Sequence, residues 1–151
     1  MLPRQEISQD DSFQTLCLPA TLESVAPLSK FIVDRALSAG VLQKRLFELE
    51  LVLEELLTNA AIHAYRQEDR ADSWIKVGID CTRPDRLQIR VDDAGAPFDI
   101  MAHPTPEVTS ALEDRQVGGL GVHLVRQIAV NARYEIMGGN VNRFSFELPA
   151  T

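Results

Sequence analysis

Cysteine is scarce in this chain: Cys17 and Cys81 are the only two among 151 residues. Neither sits in a C-x-x-C spacing, which excludes a zinc or redox motif built on paired thiols. Both fall within apolar alternations, which predicts two buried free thiols and fits a reducing compartment. Basic clusters are missing as well. No run of Lys and Arg is longer than a pair and the net charge is −7, so the footprint of a nucleic-acid binder is absent. Long apolar runs are missing too, since Glu or Arg interrupts them every few residues, and the N-terminal stretch MLPRQEISQDDS has no apolar signal core. The expectation is a cytosolic protein without a membrane span. No Ser or Cys lies in a nucleophile-elbow setting, and His63, His103 and His123 match no metal-ligand spacing.

What remains is an ordinary globular balance, with 45% hydrophobic and 25% charged residues. That predicts one domain with a substantial core, spanning residues 13–151 after a polar, flexible segment over 1–12. FQTLCLPA alternates Phe13, Thr15 and Cys17 against Gln14, Leu16 and Leu18, a strand ended by Pro19. A helix follows, with Thr21 as N-cap, Val25, Leu28, Phe31, Ile32 and Ala36 at helical spacing, and Gly40 as its stop. A second, longer helix is predicted from about Gln43 to Tyr65. SWIKVGID and RLQIRVDD read as strands of a hairpin turning at Pro84-Asp85. Residues 94–118 show little periodicity and read as a long loop, the kind of segment that serves as a lid. GGLGVHLVRQIAVNA returns to helical spacing, and RYEIMGGNVNRFSFELP is a second hairpin around Met137-Gly138-Gly139-Asn140. Three helices and about five strands grouped in hairpins predict an α+β two-layer sandwich rather than a doubly wound parallel sheet.

Three clusters in this frame could carry chemistry. On a helical wheel of about 100° per residue, Leu49, Leu53, Leu56, Ala60 and Ala64 form a core stripe. Glu55 and Asn59 flank that stripe as an i,i+4 pair, and His63 continues their row towards the core. A carboxylate beside a carboxamide suits a hydrated Mg²⁺ and a nearby hydroxyl, because Asn offers a neutral oxygen and Glu accepts a proton. A boundary row of polar residues on a half-buried helix would look the same.

The second cluster is VDDAGAPFD. By alternation Asp93 shares a face with Leu87, Ile89 and Val91. A carboxylate there needs hydrogen-bond donors, such as backbone groups, water or the amino group of a purine. Gly95 leaves room for close approach to a flat ring, although Asp followed by Gly is also common turn chemistry. The third cluster is VGGLGVHLV, where Gly118, Gly119 and Gly121 precede or open a helix. Unpaired N–H groups at such a start suit a phosphate. The run lacks the Lys-Ser/Thr of a Walker A loop and the preceding strand of a dinucleotide fingerprint.

In this order (Glu-x-x-x-Asn on a helix, a hairpin, Asp-x-Gly at a strand end, a proline-rich loop, Gly-x-Gly opening a helix, a last hairpin) the sequence resembles the GHKL superfamily of ATP-binding domains. Within it, the sequence is most similar to the bacterial serine-protein kinases that double as anti-sigma factors. The resemblance spans FQTLCLPATLESV to FSFELP. It implies the GHKL, or Bergerat, fold: a mixed, mostly antiparallel sheet covered on one face by three helices, with ATP between the helical layer and a lid.

By the same likeness, EELLTNAAIHAY corresponds to the family's N box. Glu55 would be the general base and Asn59 the Mg²⁺ ligand, with His63 beside the nucleotide. Asp93, helped by Gly95, would hold the adenine amino group, and Gly118, Gly119, Leu120 and Gly121 would wrap the phosphates. Where many relatives place a threonine beside adenine, this chain has Asn142 or Arg143. The implied activity is transfer of the γ-phosphoryl of Mg-ATP to a seryl or threonyl hydroxyl of a small anti-sigma-antagonist (STAS-like) partner. Sequestration of a sigma factor would be a second role, and a homodimer the implied state. A nucleotide-dependent protein-binding module without kinase activity is the competing reading.

Overall fold

A computed structural model describes residues 7–10, 12–65, 71–97 and 119–151, with backbone alone for 7–10 and 119–122. The elements run β1 (Ile7–Asp10), β2 (Phe13–Pro19), α1 (Leu22–Ser38), α2 (Gln43–His63), β3 (Trp74–Asp80), β4 (Arg86–Asp93), α3 (Gly119–Ile128), β5 (Val130–Met137) and β6 (Val141–Pro149). The strands form a six-stranded sheet in the order β1-β2-β3-β4-β6-β5. Among the described residues every pairing is antiparallel, where the resemblance implied a mixed, mostly antiparallel sheet. The α+β layering is as expected, with the helices on one face.

Cross-strand registers explain why the sheet takes one core face. Leu16 stands opposite Val77, Val77 opposite Val91, and Val91 opposite Phe144. The next row runs Ile79, Ile89 and Phe146. These side chains join Leu28, Phe31 and Ile32 of α1, Leu49, Leu53 and Leu57 of α2, and Val125 of α3 in one apolar cluster. With a side-chain period of two, a slip by one residue would turn both rows to the opposite face, so the apolar pattern fixes the register.

The helix ends follow local chemistry. Gly40 takes a left-handed φ of +89° after α1. Its N–H bonds to Leu37 O at 3.0 Å and that of Val41 to Ala36 O at 3.2 Å, the paired closure of a Schellman motif. Val41 then turns into the core. Thr21 occupies the N-cap of α1, but its hydroxyl meets the Ser24 hydroxyl at 3.2 Å rather than a backbone N–H.

Four expectations change. Ile7–Asp10, inside the segment read as flexible, forms β1 against β2; β2 would otherwise present an open ladder of backbone groups. α2 ends at His63, two residues early, with Ala64 as its C-cap. The third helix stops at Ile128, because Asn131 adopts a φ of +54° and starts a bulged β5; its Nδ2 donates to Glu147 Oε1 at 2.6 Å. Cys17 is buried and Cys81 only half-buried, and both are free thiols. Burial pushes the Cys17 thiol up to about 11. The loop expected over 94–118 lies outside the described residues from 98 on. No described helix is long and apolar enough to cross a membrane.

Candidate nucleotide site

The third row of the sheet shows where the apolar face gives way. It begins with Leu18 and Ile75 and then turns polar, with Asp93 opposite Ile75 and Asn142 opposite Asp93. Asp93 therefore lies on the helix side of the sheet, as alternation predicted. Its Oδ1 accepts from Gly95 N at 2.8 Å, an Asx turn, and from Asn142 Nδ2 at 3.0 Å. Burial pushes the Asp93 carboxyl above the usual carboxylate range, Asn142 and the Gly95 amide hold it down, and Asp92 adds to the rise.

Gly95 is required by the chain itself. A Cβ there would lie 1.9 Å from the carbonyl oxygen of Ala64, the C-cap of α2. Ala96 N donates to that oxygen at 2.7 Å. The close approach expected for a ligand ring is thus made by the end of α2. Tyr65 completes this corner. Its buried hydroxyl donates to Trp74 O at 2.5 Å and accepts from Trp74 N at 3.2 Å and Ala94 N at 2.9 Å. One side chain so ties the end of α2 to the start of β3 and the end of β4.

On α2, Asn59 Nδ2 donates to Glu55 Oε1 at 3.3 Å, and both side chains are half-buried. With its amino group turned to Glu55, the amide presents Oδ1 away from the carboxylate. Desolvation raises the Glu55 carboxyl above its ordinary value, the Asn59 donation opposes this, and Glu54 adds to it. His63 departs from expectation. Along the row Glu55 and Asn59 are half-buried and His63 is exposed, because the row loses its cover at the last turn of the helix.

Gly119, Leu120 and Gly121 form the first turn of α3, and Gly118 lies outside the described residues. First-turn N–H groups have no partner within the helix and carry the positive end of its dipole. α3 packs against α2, and Val125, fully buried, joins the core. The structure thus pairs Glu55 with Asn59, and Asp93 with Gly95, and locks the ends of α2 and β4 together.

The sequence has Asn142 or Arg143 where many relatives place a threonine beside adenine, and of the two the register sets Asn142 opposite Asp93. It shares a face with Phe144, Phe146 and Leu148, an alternation visible in NRFSFEL. Arg143 points to the opposite face, where Nε and Nη2 clamp the two Asp92 oxygens at 2.9 Å each. Tyr134 and Tyr65 carried no sequence signal of their own.

Comparison with known proteins identifies the family. Residues 18–146 match the family model of the histidine kinase-like ATPase domain. The serine-protein kinase RsbW of Listeria monocytogenes is 30% identical over 118 residues, covering 76% of this chain and 73% of that protein. The Bacillus subtilis serine-protein kinase RsbW is 27% identical over 128 residues, covering 81% of this chain and 77% of that one. The chain therefore belongs to the histidine kinase-like ATPase family and, within it, to the anti-sigma-factor serine-protein kinases that its motifs resemble. A crystal structure of the RsbU and RsbW domains of a Mycobacterium tuberculosis protein superposes with a TM-score of 0.56 at 12% identity. It covers 91% of this chain, which spans 33% of that longer one, and it bears on the fold alone.

Proposed function

We propose that this chain is an ATP-dependent serine/threonine-protein kinase that phosphorylates a small anti-sigma-antagonist (STAS-like) protein in the cytoplasm. Sequestering a sigma factor is a second role consistent with its family, and a homodimer is its proposed assembly. The observation that carries the reading is the Glu55–Asn59 pair, hydrogen-bonded at 3.3 Å on the helix whose end is bonded to Ala94 and Ala96, just after Asp93.

Asn59 Oδ1, turned away from Glu55, is the neutral oxygen a Mg²⁺ ion needs. Among the described residues no three His, Cys, Asp or Glu side chains converge on a metal, so the remaining ligands would be nucleotide oxygens and water. The ion would neutralise charge on the transferring phosphoryl group. Asp93 accepts from the base, and the opening turn of α3 receives phosphate oxygens on its N–H groups. Glu55 takes the proton of the seryl or threonyl hydroxyl as that oxygen bonds to the γ-phosphorus and the bond to the ADP oxygen breaks. Desolvation suits Glu55 to the task by moving its titration towards neutral pH.

The test is transfer from labelled ATP to a STAS-like antagonist with Mg²⁺ present. Glu55→Gln should keep ATP affinity and lose transfer by about 100-fold or more. The wild-type rate should fall as pH drops through the raised Glu55 value, because only the carboxylate accepts a proton. Undiminished transfer in Glu55→Gln, or an equal loss of nucleotide affinity, would overturn the assignment of the base and favour a binding module.

A further inference from the structure

Asn142 is oriented without ambiguity. Its amide faces two groups that only accept, the Asp93 carboxylate (Oδ1, 3.0 Å) and the Gly95 carbonyl (2.8 Å), so Nδ2 must lie on that side. Both Nδ2 hydrogens are then used, and Asn142 has no donor left for a base. Its Oδ1 lies 3.0 Å from the Tyr134 hydroxyl, which donates to it. Asn142 is buried at 5% exposure and Tyr134 packs against the core. The chain of contacts runs from β5 through β6 to β4 and ends on one carboxylate oxygen. The other oxygen of Asp93, Oδ2, has no hydrogen bond within the described residues.

We propose that Asn142, held by Tyr134, is a positioning residue for base recognition. It fixes Asp93 through Oδ1 so that Oδ2 alone is presented to the exocyclic amine of a 6-aminopurine. The inference rests on the nucleotide reading above and adds to it a specificity device in which the amide acts on the carboxylate and not on the ligand. A carboxylate free to rotate could offer either oxygen, and the directional contact with the amine would weaken. Asn142 also donates to the charged form of Asp93. Without it the carboxyl would hold its proton to a higher pH and then could not accept from the amine.

The experiment is calorimetric titration of the wild type, Asn142→Ala and Tyr134→Phe with Mg-ATP and with purine riboside 5′-triphosphate, which lacks the 6-amino group. The wild type should prefer ATP by roughly tenfold or more, the value of one hydrogen bond to a charged group. Asn142→Ala should bring that ratio close to one while changing affinity for the purine analogue little, and Tyr134→Phe should give an intermediate ratio. The pH below which ATP binding is lost should also rise in Asn142→Ala.

Equal losses for both nucleotides in Asn142→Ala would show that the amide merely supports the fold, and an unchanged ratio in Tyr134→Phe would remove the relay. Should Asn142→Ala fail to fold, Tyr134→Phe still decides, since it deletes a single hydroxyl. A wild type that binds neither nucleotide would remove the underlying reading, and this inference with it.

Discussion

Asp92 and Asp93 are neighbours in sequence, chemically identical, and put to opposite uses on the two faces of the sheet. Asp92, 3% exposed, is closed off by the two-pronged Arg143 contact on the face away from the helices. Its charge is matched and both its oxygens are taken. Asp93 faces the helical layer, is bound by neutral donors on one oxygen, and is left with a carboxyl that burial raises. A matched buried charge serves the fold, and an incompletely satisfied one is the candidate for a ligand contact.

This contrast is open to direct attack. Arg143→Ala should have the largest effect on stability, about 4 kcal/mol in denaturant unfolding, because it strands the buried Asp92 carboxylate. The ratio of ATP to purine-analogue affinity should stay at the wild-type value in the protein that remains folded. Gly95→Ala should follow at about 3 kcal/mol, since the new methyl collides with backbone and not with a side chain that could move.

Asp93→Asn should be the smallest change and of opposite sign. A carboxyl whose folded value is raised stabilises the protein at acid pH, and that contribution is lost as pH rises through the folded value. At neutral pH the charged form is therefore a net cost, and removing it should slightly stabilise the nucleotide-free protein while abolishing the preference for ATP. A destabilised Asp93→Asn protein would mean that the two aspartates serve the same end.

Most of what positions Asp93 was readable from alternation alone. The strand RLQIRVDD assigns the two aspartates to opposite faces, and NRFSFEL puts Asn142 on the helix side by the same rule. Local patterns misjudged the places where tertiary structure decides. Val130, Ala132 and the residues before them share one apolar signal, and only the left-handed Asn131 shows that the helix has already ended. ISQD has no apolar alternation of its own, and its strand depends on the edge that β2 offers. Gly95 was legible as a close approach but not as an approach to Ala64, since nothing local tells where the end of α2 meets the end of β4. Asn59 and Glu55 were found because a helix repeats regularly, and His63 was misplaced because the repeat says nothing about where cover stops.

The three hydrogen bonds gathered by the Tyr65 hydroxyl have a consequence for motion. One helix end and two strand ends are riveted at one oxygen atom, so they open together or not at all. The amide protons of Trp74 and Ala94 should exchange with solvent at a common slow rate. On the proposed reading, nucleotide binding should leave this corner rigid, with Asn59 and Asp93 already held at a set distance.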